Sequence, residues 1–113
     1  MTPNEFLAAL NKFIEYCEES YFTGAFSESV IKDDLQSRKA SDTYSTLGSN
    51  PRQTNQLAEK KQFYINDFNS VEDELDTWIR KIREVNPDHP WIARCEKCKN
   101  QIVKLRKIVR NFY

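Results

Sequence analysis

Cys95, Glu96, Lys97 and Cys98 form a C-x-x-C, a spacing that elsewhere binds zinc or exchanges disulfides. A structural zinc site takes four Cys or His ligands, and beyond this pair the chain offers only Cys17 and His89. A redox motif opens a helix after a strand, whereas these cysteines fall on an apolar stripe one turn inside a helix. Buried, inert thiols are therefore expected, with a metal or redox role as the minor alternative. His89 stands between Pro87 and Pro90 with no patterned serine or cysteine nucleophile to activate, and reads as a helix-start residue. The acidic run Glu72, Asp73, Glu74 and Asp76 could pair carboxylates for metal or glycoside chemistry, but most of it projects away from the Val71 and Leu75 seam, as a solvated or salt-bridged face would. Neither Gly24 nor Gly48 lies in a phosphate-binding loop. No catalytic residue, metal site or cofactor is expected.

Between Arg94 and Arg110 basic residues outnumber acids, and Lys104, Arg106, Lys107 and Arg110 make a candidate basic face. Seventeen basic and seventeen acidic residues cancel over the whole chain, which removes the global electrostatic argument for nucleic acid or an anionic membrane. The acids Asp67, Glu72, Asp73, Glu74 and Asp76 lie where an antiparallel neighbour would meet that basic face. Trp91 and Phe112 fall on the core stripe, out of reach of stacking bases. Nucleic acid is thus the disfavoured partner.

Three periodic segments position these residues. Phe6, Leu10, Phe13 and Cys17, widened by Leu7, Ile14 and Tyr21, make an amphipathic first helix. Gly24 weakens its continuation toward Val30, Ile31 and Leu35, and Ser27 suits a fresh start, so a kink or short break is expected there. Residues 40–50, rich in Ser, Thr, Asp, Asn and Gly, read as the longest loop. Asn50, Pro51 and Gln53 match an N-cap, a first-turn proline and a capping-box partner, which starts the second long helix at Pro51. That helix carries Leu57, Tyr64, Phe68, Val71, Leu75, Trp78, Ile82 and Val85 at heptad spacing, interrupted at Lys61. Asn86 to Pro90 reverse the chain, and Trp91, Cys95, Cys98, Ile102, Leu105, Val109 and Phe112 repeat the pattern. The expectation is an all-α fold: an antiparallel three-helix bundle, one domain over residues 1–113, its first helix broken near Gly24.

The stretch SVEDELDTWIRKIREVNP, Ser70 to Pro87, resembles the second helix of the N-terminal domain in trans-Golgi and endosomal syntaxins of the syntaxin-six type. LRKIVRNF, Leu105 to Phe112, is similar to that family's third helix. The family's Asp-Pro-Phe start is replaced by Thr2, Pro3, Asn4, Glu5 and Phe6, and its SNARE heptads and membrane anchor are absent. The resemblance implies a three-helix regulatory domain in vesicle traffic that binds a tethering-complex subunit or another trafficking factor, and it carries over no catalytic residue.

No segment approaches a bilayer-spanning apolar run and the first residues are not a signal peptide, so a cytoplasmic protein without membrane insertion is expected. The leading reading of function is a non-enzymatic helical protein-interaction domain. The alternative is a small microbial or phage regulatory or defence protein that binds an enzyme or nucleic acid through its basic helix. Tyr21, Phe22 and Phe26 are the candidate partner-binding residues, because one helical stripe cannot turn three rings within six residues fully inward. The competing expectation is that the kink folds them over the end of the bundle.

Overall fold

The computed structural model describes residues 2–47 and 56–113 and, of residues 43–47, the backbone alone. Four α-helices are present among them: α1 Pro3–Glu18, α2 Glu28–Leu47, α3 Gln56–Val85 and α4 Trp91–Arg110, with a π-helical turn, Glu19–Thr23, ending α1. The fold is all-α, but the expected three helices are four, because the break at Gly24 separates α1 from α2 completely. None of the described helices is long and apolar enough to cross a membrane.

Thr2 starts α1 with a capping box. The Glu5 amide donates to Thr2 Oγ1 at 3.2 Å and the Thr2 amide to Glu5 Oε2 at 3.3 Å, while Pro3 occupies a first-turn position whose N–H would have no helical acceptor. Residues 40–47, expected in a loop, form the last two turns of α2. Propensity was overridden by a tertiary contact: both oxygens of the Asp42 carboxylate accept from the free amides of Gln56 and Leu57, each at 2.9 Å, capping α3 from a helix 14 residues away. The expected capping box of Asn50 and Gln53 and the helix start at Pro51 lie outside the described residues.

Helices α3 and α4 form an antiparallel hairpin. Its reversal is held by the Asp88 amide on Asn86 Oδ1, at 3.1 Å, and by the Trp91 amide on His89 Nδ1, also at 3.1 Å, so His89 is a helix-start residue. Tyr64, Phe68, Val71, Leu75 and Ile82 are buried as the heptads require. Val85 is not, at 73% exposed, and Ile79 and Ile92 are buried without having been expected. A helix of 3.6 residues per turn drifts off a strict seven-residue repeat, and the drift carries the seam from Trp78 toward Ile79.

Helices α1 and α2 follow one another along this hairpin. The α1 end of the chain packs Phe6, tilted, and Phe13, stacked, against Trp78, with ring centroids 5.4 and 6.3 Å from it. Glu18, at the other end of α1, pairs with Arg94 of α4. Two phenols then pin the break to α3: Tyr21 Oη donates to Asp67 at 2.7 Å, and Tyr64 Oη donates to Asp34 of α2 at 2.8 Å. One apolar core, including Leu10, Ile14, Ile31, Leu35, Phe68, Leu75, Ile102 and Leu105, joins all four helices.

Candidate interaction site at the α1–α2 break

Where a chain leaves helical geometry, its backbone carbonyls need other donors. Here Thr23 Oγ1 takes the Glu19 carbonyl at 3.3 Å, the Phe26 amide takes that of Ser20 at 2.9 Å, and the Ser27 amide takes that of Gly24 at 3.1 Å. The Tyr21 carbonyl is claimed from outside the segment, by Gln101 Nε2 of α4 at 3.0 Å. Gly24 is needed for its missing side chain: a Cβ there would stand 2.5 Å from the Glu19 carbonyl oxygen and 3.2 Å from Ser20 Cα.

The three expected anchors part company in this frame. Tyr21 is fully buried, stacked on Phe26 at 5.4 Å and edge-on to Phe68 at 6.1 Å, and burial followed by its hydrogen bond to Asp67 raises its pKa well above the usual phenol. It is a core residue, the next step in the 4-3-4 spacing of Leu10, Ile14 and Cys17, which are fully buried with it. Phe26 is half-buried against Tyr21 and meets Tyr64 edge-on at 6.0 Å. Phe22, also half-buried against the core, lines a surface groove of about 390 Å³ with Ser27, Glu28, Ser29, Lys32 and Gln101. Lys97 holds its ammonium 5.6 Å from the centre of the Phe22 ring.

The candidate basic face lies beside this groove but does not act as one unit. Arg106 is turned into the α3–α4 seam, 3.1 Å from Glu72 and 3.0 Å from the Asn69 amide oxygen. Lys104 reaches Glu28 of α2 at 3.3 Å, and Glu28 also meets Lys32 at 3.0 Å; its carboxyl is held below the usual range by Lys32 first and Lys104 second. Of the four bases expected to meet the α3 acids, Arg106 does so, at Glu72, while Asp76 accepts at 2.6 Å from Lys99, a base outside that set. Asp67 serves Tyr21 instead. Lys107 and Arg110 are exposed, and among the described residues neither side chain is in an ion pair.

Cys17, Cys95 and Cys98 are all buried and unbonded to one another. Desolvation pushes the Cys17 thiol up to about 12 and those of Cys95 and Cys98 to about 11, which suppresses the nucleophilic thiolate. Among the described residues no three His, Cys, Asp or Glu side chains converge as metal ligands.

Lys97, Gln101, Glu28 and Lys32 were not singled out by sequence reasoning. Two of them had a signal: Lys97 and Gln101 stand four residues apart beside the core seam of α4, where a helix borders its neighbour. No protein family, curated protein or solved structure gives a significant match to this chain.

Proposed function

We propose that the chain is a non-enzymatic helical protein-interaction domain whose working surface is centred on the α1–α2 break. The observation that supports this most is Phe22: a large ring left half-covered in a groove, backed by a cation and set on a backbone tied at the Glu19, Ser20, Tyr21 and Gly24 carbonyls. Partly exposed aromatics on a fixed backbone are efficient anchors, since little conformational freedom remains to be lost on binding. The resemblance of Ser70 to Pro87 and Leu105 to Phe112 to syntaxin N-terminal domains agrees with such a role in SNARE-dependent traffic and makes a trafficking factor the first partner to look for.

The test is affinity capture with quantitative mass spectrometry, using wild type, Phe22→Ser and Ser29→Ala as a control on the groove rim. A partner lost from Phe22→Ser but kept by Ser29→Ala, with melting temperatures alike, supports the reading. Equal capture by all three, with Phe22→Ser still folded, refutes it.

A further inference from the structure

The outward face of α4, opposite its core seam, is built on the same helical spacing as the seam itself. Asn100, Lys104, Lys107 and Asn111 run at 4-3-4 intervals, flanked by half-buried Val103 and by Ile108, whose inner side packs on the core. These six residues line a shallow depression of about 460 Å³. The face carries cations without an acid of its own: Glu96, the acidic residue of α4, is one turn away and bound to Arg83 at 2.7 Å. The Lys104–Glu28 contact joins it to the Phe22 groove.

We propose that this face docks an acidic amphipathic helix of a partner protein, an inference that rests on the protein-interaction reading and names the partner's chemistry. Charge complementarity selects the occupant. Lys107 has no ion pair among the described residues and Lys104 shares its acid with Lys32, so a ligand carboxylate gains attraction at both without displacing a buried bond. The apolar flanks, Val103 and Ile108, suit aliphatic side chains and give nothing to a phosphate backbone. Ridges three and four residues apart accept the corresponding ridges of a second helix, and the stretch from Asn100 to Asn111 is about 17 Å long, three turns of such a partner. The small apolar area makes the contact weak and salt-sensitive on its own, with the neighbouring Phe22 groove as its anchor.

The probe is a 16-residue helical peptide with leucines on one seam and glutamates beside it, titrated into ¹⁵N-labelled full chain. A twin with lysines for glutamates, a 16-nucleotide single-stranded RNA and phosphatidylserine vesicles serve as competitors. The expected result is amide shifts confined to residues 97–111 and the adjoining break. Affinity should fall about tenfold in the Lys104→Gln/Lys107→Glu variant, whose folding is checked by circular dichroism, and by a similar factor between low and high salt. No shift with the acidic peptide, equal binding of the two peptides, insensitivity to the variant, or tighter binding of RNA or vesicles at this face would each overturn the proposal. Should the peptide fail while Phe22→Ser still loses its captured partner, the interaction reading stands and only the acidic-helix assignment falls.

Discussion

Gly24→Ala tests the construction of the break directly, because two effects of opposite sign compete at one methyl group. At a site with room, exchanging Gly for Ala stabilises a fold by about 0.4 to 1 kcal/mol through the unfolded chain. At Gly24 the new Cβ would stand 2.5 Å from the Glu19 carbonyl oxygen, so that oxygen or residue 24 must retreat by at least 0.5 Å to reach the 3.0 Å limit of real contacts. Both obstructing atoms, the Glu19 oxygen and Ser20 Cα, are backbone. No flexible side chain can yield in their place. Overpacking of this kind costs about 1 to 3 kcal/mol, and the midpoints of the two ranges leave a net loss of about 1.3 kcal/mol after the entropic gain. The melting temperature should fall by roughly 4 °C per kcal/mol, and amide shifts should concentrate at Tyr21, Phe22 and Gln101, which share the displaced backbone. An unchanged or raised melting temperature would refute the close-contact explanation of the break.

Leu75→Asp puts an unpaired carboxylate at the centre of the α3 seam, where Leu75 is fully buried, and should unfold the chain by circular dichroism at 25 °C; a native melt would disprove the seam. Asp42→Ala removes the cap on the first amides of α3 and should cost about 1 to 2 kcal/mol in urea denaturation, against no change if α3 starts without it. The thiols and the Tyr21 and Tyr64 phenols have folded pKa values raised mainly by burial, so the unfolded chain loses those protons first; stability is complete below about pH 9 and declines as pH rises past it. Melts at pH 8 and 10.5 check the sign, and a thiol reagent at pH 8 should modify the three cysteines only at the rate of unfolding. Rapid labelling of the native protein would contradict their burial.

Helical class, the α3–α4 hairpin and most of the core were legible in the residues, because period and punctuation are local properties. Leu10, Ile14, Phe68, Leu75, Ile102 and Leu105 repeat at helical spacing, and Pro87 and Pro90 stop any helix that reaches them. Gly24 announced the break for the same reason. The form of that break belongs to tertiary structure. The π turn and the bend after it decided that Phe26 folds back onto Tyr21, and that Phe22, half-buried against the core, also lines a groove. Spacing put Tyr21 on the apolar stripe but cannot reveal the turn itself, which presents polar groups that Gln101 of α4 and Asp67 of α3 take up. The end of α2 was hidden likewise: Ser41, Asp42 and Thr43 read as loop until the start of α3 lies beside Asp42 and makes the carboxylate its cap. Composition placed a basic helix opposite an acidic one. Only packing assigned Arg106 to the seam and Lys104 to Glu28, and left Lys107 facing outward, because ion pairs follow the rotation of each helix about its axis, which neighbours on both sides determine together.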